Sequence, residues 1–206
     1  MTGRAFVPAA ELDLALDRDL ARARRLLEEY AAPDRAQDLE RARILRFLAE
    51  HPLDAHLRSC AQGHLTASAL LLDADERQAL LTHHRKLDRW LQLGGHADGD
   101  ANLLAVAVRE VREESGIEDL EVLPRPIDVD VHLIPERPAR PGRPAEPAHL
   151  HLDVRFLLRA PRGAQAIVSE ESHELGWFAP GDLGAVALDE SVLRLFRLAF
   201  PVRTSP

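Results

Sequence analysis

Apolar positions near the start of the chain recur at helical spacing. Leu12, Leu16, Leu20, Ala23 and Leu27 fall on one face of a 3.6-residue helix. "AAPD" interrupts the run, and Pro33 with Asp34 reads as the start of a second helix. Its stripe is Ile44, Leu45, Phe47 and Leu48, and His51-Pro52 stops it. Residues 1–57 are therefore expected to form an N-terminal helical extension. It either covers the main domain or offers the surface of a homodimer.

From Gly63 the period shortens, and residues 58–206 are expected to form the main domain. "HLTASALLLD" and "QALLTHH" read as strands joined by the turn "DADE". "LEVL" reads as a short strand. "IDVDVHLI" alternates Ile127, Val129, Val131 and Leu133 with Asp128, Asp130 and His132, the pattern of a half-buried strand. "HLHLDVRFLL" alternates again, "GWFAP" reads as a short strand, and Val192, Leu195, Phe196 and Ala199 mark a last helix closed by Pro201. Strands and helices mix without regular βαβ repetition, which predicts an α/β or α+β layered fold, a mixed sheet between helices.

One stretch departs from simple patterning: "GGHADGDANLLAVAVREVREESGI", Gly94 to Ile117. Asn102 is placed to cap a helix that Gly116 ends in the left-handed conformation, with Leu104, Val108 and Val111 buried. Glu110, Glu113 and Glu114 then fall within an arc of roughly 100°. Like charges at these spacings repel, and burial sharpens the cost unless a cation is present. Hard carboxylate oxygens in such a group suit Mg²⁺ or Mn²⁺. Taken alone, "REVREE" is usually a solvated acidic helix face.

Composition narrows the partners. A net charge of −8 argues against duplex nucleic acid, which is bound through surplus Lys and Arg. A small phosphorylated substrate held through a metal ion remains compatible with it. The single cysteine, Cys60, forms no internal disulfide and suits a reducing cytoplasm. No apolar run reaches the ~20 residues needed to span a bilayer, and the N-terminus lacks the order of a secretory signal. A cytoplasmic protein without membrane attachment is expected.

The glycine loop and glutamate helix resemble the signature box of the Nudix hydrolase superfamily. Gly95 opens the pattern, and Arg109, Glu110, Val111, Glu113, Glu114, Gly116 and Ile117 fall at the expected offsets. One position departs: Ala101 stands where the pattern has its first glutamate, and Asp100, with Asp98, is the carboxylate at hand to take its structural role. Similarity extends loosely from about residue 60 to 200, including "ESHELGWFAPGDL". The resemblance implies a Nudix-type sandwich that hydrolyses a nucleoside diphosphate linked to another moiety. It implies divalent metal, Mg²⁺ or Mn²⁺, on Glu110, Glu113 and Glu114 with the Gly95 carbonyl. Arg109 would orient a helix carboxylate, and a metal-activated water would attack phosphorus. The general base varies within the family; here the candidates are a helix glutamate or Glu170, Glu171 and Glu174, with Glu171 preferred.

Two further patterns bear on the substrate. In "PERPARPGRPAEP" prolines recur every third residue, as do Arg137, Arg140 and Arg143. A polyproline II helix would align these arginines into a cationic flap for substrate phosphates; a solvated loop is the alternative. On the following strand His149, His151, Asp153 and Arg155 share a face, open to reading as a His-x-His metal pair, a cleft lining or plain surface. His96, next to Gly95, is a candidate substrate contact together with His151; His83 and His84 are ambiguous. Trp90, Trp177 and Phe178 are candidates for base stacking or core.

A non-catalytic Nudix-fold binding or regulatory module is the competing function, since Ala101 permits it while the intact Glu113-Glu114 pair argues against it. An isoprenoid diphosphate isomerase, which needs a catalytic cysteine close to a histidine, is disfavoured because Cys60 lies outside the glycine loop. No downstream signature selects a particular nucleotide.

Overall fold

The computed structural model describes residues 4–139, 142, 144–169 and 172–201. Its centre is strand β2 (Gly63–Leu72), buried along its whole length. It runs parallel to β7 (His149–Arg159), with Gly63 opposite Leu150 and Leu72 opposite Arg159. Its other side pairs with β5 (Leu93–His96) through Thr66–Ala69, then with β3 (Ala79–His84) through Leu71 and Leu72. Beyond β3 lie β4 (Arg89–Leu91) and β8 (Ser172–Phe178). Beyond β7 lie β6 (Glu121–Ile134) and the short β1 (Val7–Pro8). The sheet is eight-stranded and mixed, flanked by helices α1 (Leu20–Glu29), α2 (Arg35–Glu50), α3 (Leu103–Ser115) and α4 (Glu190–Ala199).

Residue parity along the central strands sorts side chains into two apolar layers. Leu65, Ala67, Ala69 and Leu71 of β2, with Leu152, Val154, Phe156 and Leu158 of β7, share a core with α1, α2 and α3. Leu70, Leu72 and Leu157 point the other way and join Val192, Leu195, Phe196 and Ala199 of α4 in a second core. Each fully buried Leu contributes roughly 1.5–3 kcal/mol, so both faces are strongly specified where the residues are apolar. Toward the start of β2 the second face turns polar, at His64, Thr66 and Ser68, and there α4 is replaced by a cleft.

Three expectations are corrected. The first helix begins at Leu20, not near Leu12, and residues 12–19 form an extended strap. Asp19 caps the helix through Ala21 N, and Asp17 accepts from Asp19 N, local bonds that compete with helix. Leu16, assigned to the apolar stripe, is 60% exposed. Secondly, "LEVL" and "IDVDVHLI" belong to one strand, β6, whose pairing with β7 is irregular between Leu123 and Asp128. Pro124 and Pro126 lie in that interval and cannot donate to the ladder. Thirdly, the polar face of β6 is not open to water along its length: Asp128 is fully covered by Arg155 and Arg194, while His132 is exposed.

The helical extension covers the open edge of β6. Gln37 on α2 accepts from Val129 N (2.9 Å) and donates to Val129 O (3.0 Å), pairing with the strand as a neighbouring backbone would. Tyr30 hydroxyl bonds the same amide oxygen of Gln37 and lies 3.3 Å from Ile127 O. An edge satisfied in this way is closed to strand addition.

Candidate active site

Helix α3 forms as the sequence predicts. Asn102 caps it through Ala105 N, and Gly116 ends it at φ 70°. Val108 and Val111 are buried while Leu104 is only partly so. The helix presents Glu110, Glu113 and Glu114 to a cleft of about 760 Å³. Glu113 is exposed, Glu110 is partly buried, and Glu114 is buried at 9% exposure. Burial raises the Glu110 carboxyl above its ordinary range, Arg109 opposes the shift, and Glu113 adds to it.

Gly95 makes room for the Glu110 carboxylate beside β5. A Cβ there would stand 2.3 Å from Glu110 Oε2, closer than any side chain tolerates. Arg109 ties loop to helix. Its Nη2 donates to His96 O at 3.4 Å and to Glu110 Oε1 at 3.3 Å, and its Nη1 lies 3.7 Å from Asp100 Oδ2. Asp100 is itself buried and accepts from the backbone of Asp17 (3.0 Å) and Asn102 (2.9 Å). Asp98 instead pairs with Arg58 at 2.5 and 2.6 Å, which holds its carboxyl below the ordinary range.

The donor chemistry fits a hard divalent cation. Three carboxylates of one helix line the cleft, Gly95 leaves room for that of Glu110, and Arg109 supplies one positive charge beside it. Oxygen donors of this kind match Mg²⁺ or Mn²⁺ rather than a thiophilic ion.

Of the candidate substrate contacts, His96, His151 and Arg137 line the same cleft. Arg137 also pairs with Glu146, by a 3.3 Å ion pair and a backbone bridge. Arg140, Arg143, Glu170 and Glu171 lie outside the described residues; Ser169, just before the two glutamates, lines the cleft. Glu174 is exposed on β8, opposite His83, and is not among the cleft residues. The face carrying His149, Asp153 and Arg155 is not surface: these residues are 7%, 4% and 2% exposed. Trp90 stacks on His83 and meets Phe178 edge-on; with Trp177 they pack on the cores, away from the cleft. Cys60 Sγ lies 3.6 Å from His51 Nδ1, again outside the cleft.

Several cleft residues escaped sequence reasoning. Thr66 and Ser68 both donate to Asp153, at 3.0 and 2.7 Å, and Arg155 Nε adds a third bond at 2.8 Å. Arg58, Lys86 and Leu16 complete the walls. A signal was available for β2: His64, Thr66 and Ser68 are alternate polar positions inside an otherwise apolar run.

Among the described residues no helix is long and apolar enough to cross a membrane. No curated protein matches the chain by sequence. Similar solved structures include a NUDIX-family hydrolase from Clostridium perfringens (19% identity, TM-score 0.48, covering 71% of this chain and 97% of that one). The E. coli dihydroneopterin triphosphate pyrophosphohydrolase is similar at 18% identity and TM-score 0.49, with 65% and 92% covered. An ADP-ribose pyrophosphatase from Streptococcus suis follows at 22% identity and TM-score 0.46, with 66% and 87% covered. A NUDIX domain model matches residues 63–197, most of the chain and the whole of the glycine loop and glutamate helix. The chain belongs to the Nudix family.

Proposed function

We propose that this Nudix enzyme hydrolyses a pyrophosphate linkage in a small nucleoside diphosphate derivative. The observation that carries the reading is the placement of Glu110, Glu113 and Glu114 along one wall of the cleft, with Gly95 against Glu110. These side chains, with the Gly95 carbonyl, would hold Mg²⁺ or Mn²⁺. Bound there, the ion supplies Lewis-acid neutralisation of phosphate charge and activation of water.

The chain's own residues do the rest. Arg109 orients Glu110 and is held from behind by Asp100, which takes the structural role left open by Ala101. Arg137, with Arg140 and Arg143, attracts the substrate's phosphates. His96 and His151 stay neutral and offer hydrogen bonds to substrate. Burial lowers both, to about 4 and about 2, helped for His96 by Arg58 and for His151 by neighbouring histidines. Glu171 serves as general base, and residues 1–57 act as an extension bracing the Nudix domain. A cytoplasmic location belongs to the same reading.

The test is release of phosphate, pyrophosphate or nucleoside monophosphate from a panel of nucleoside diphosphate derivatives with Mg²⁺. Glu114→Gln should lower kcat on the order of 10²-fold or more, the scale of losing one preorganised electrostatic contact. Inactivity of the wild type across the panel, with ligand binding retained, would instead identify a binding or regulatory module.

A further inference from the structure

Beside the glutamates lies a second group of potential ligands. His64 on β2 stands directly opposite His151 on β7, and His96 on β5 stands opposite Thr66. Three adjacent strands thus each contribute one imidazole. Ring centroids are 5.1 Å apart for His64 and His96, 5.0 Å for His64 and His151, and 4.9 Å for His96 and His151. One ring nitrogen from each lies within 4.8 Å of the others.

His64 is the most informative member. It is 4% exposed, and neither Nδ1 nor Nε2 has a hydrogen-bond partner. The Cys60 carbonyl is near enough to favour the protonated ring weakly, without hydrogen-bond geometry. Leaving a buried polar group unsatisfied costs about 1–3 kcal/mol, a cost that a ligand at the ring would remove. His149 is differently engaged: its Nδ1 donates to Pro147 O at 2.9 Å.

We infer that His64, His96 and His151 form a binding site for a divalent transition-metal ion of the Zn²⁺ class, distinct from the glutamate site and independent of it. Zinc–imidazole bonds of 2.0–2.1 Å at a tetrahedral centre place ring centroids about 5 Å apart, the spacing already present. Bringing the nitrogens together requires rings to turn, not strands to move. Placement on strands locked by the β5–β2–β7 ladder supplies the rigidity such sites need. The buried His64 ring, with both nitrogens unpartnered, has a lone pair available to such an ion. Because His96 and His151 line the cleft, the fourth position of the ion faces the substrate space, where a water or phosphate oxygen completes the shell.

The test uses the full chain, stripped with chelator and titrated with Co²⁺ as a spectroscopic substitute for Zn²⁺. A tetrahedral nitrogen-rich site gives intense visible absorption, while octahedral carboxylate coordination gives weak bands. We expect the intense spectrum in wild type and in the Glu110→Gln/Glu113→Gln/Glu114→Gln variant. His151→Ala and His96→Ala should lose it and bind Zn²⁺ at least about 100-fold more weakly, since loss of an outer hydrogen bond alone costs 10–100-fold. Circular dichroism confirms that these variants fold. Zn²⁺ should also raise the thermal midpoint of wild type but not of His151→Ala. Absence of the intense spectrum in wild type, its survival in both histidine variants, or its loss in the glutamate variant would overturn the inference.

Discussion

Asp100 faces Arg109 across 3.7 Å while its other oxygen holds the backbone of Asp17 and Asn102. One buried carboxylate thus joins the N-terminal strap, the cap of α3 and the arginine that touches Glu110. Asp100→Ala removes the acceptor from two amides and the charge from Arg109. It should destabilise the protein by about 1–3 kcal/mol in urea unfolding and lower activity beyond the loss of folded protein. Asp100→Asn should recover most of the stability but not the activity, because an amide oxygen still accepts while the charge is gone. Equal recovery of both would show that the Asp100 charge does not act through Arg109.

Gly95→Ala tests the seat of the Glu110 carboxylate beside β5. The new Cβ would collide with Glu110 Oε2 at 2.3 Å. The proposed Mg²⁺-dependent hydrolysis should fall on the order of 10²-fold, with the thermal midpoint nearly unchanged, since Glu110 is long enough to swing aside. Full activity in Gly95→Ala would show that Glu110 is not needed where it stands.

Asn102 does more than cap α3. Its Nδ2 donates to Asp13 O and Ala15 O at 3.0 and 3.1 Å, and so ties down the strap. Asn102→Ala should cost about 2 kcal/mol or more, exceeding the ~1 kcal/mol typical of a cap alone. Hydrogen exchange at Ala101, whose N–H donates to Asp17 O, should accelerate with it. A loss confined to about 1 kcal/mol, with exchange unchanged, would mean the strap holds by other contacts.

Arg155 is 2% exposed and lies between Asp128, Asp130 and Asp153 at 3.2, 3.1 and 2.8 Å. Arg194 shares Asp128 and Asp130 with it. Arg155→Met would leave carboxylates buried with too little positive charge, and about 3–5 kcal/mol should be lost in denaturant unfolding. A loss below about 1 kcal/mol would imply that water reaches this network.

Acid should weaken the metal-stripped protein in a defined window. Burial lowers His64 and His96 from 6.5 to about 4 and His151 to about 2, so the unfolded chain takes up protons before the folded one. Stability is complete above about 6.5 and drains away as pH falls toward 4. His56, also lowered by burial, acts in the same sense. Thermal melts in chelator between pH 7.5 and 4.5 should show the decline, and His64→Leu should flatten it. An unchanged slope in that variant would place the proton uptake elsewhere.

Helix α3 was legible in the sequence because its determinants are local: cap, apolar stripe, glutamates and terminating glycine lie within a few turns of one another. The central strands were legible for the same reason, their alternation being a property of neighbouring residues. What sequence alone could not decide is whatever depends on register or on chain crossing. The spacing from Leu12 to Leu27 is helical, yet residues 12–19 are extended because Asp100 and Asn102, far along the chain, bind their backbone. The alternation of β6 suggested one wet face, but Arg194 of α4 reaches over that face to Asp128 and Asp130. Likewise, His64, His96 and His151 carry no common motif. Hydrogen-bond register across β5, β2 and β7 brings them together, and only a folded sheet contains that information.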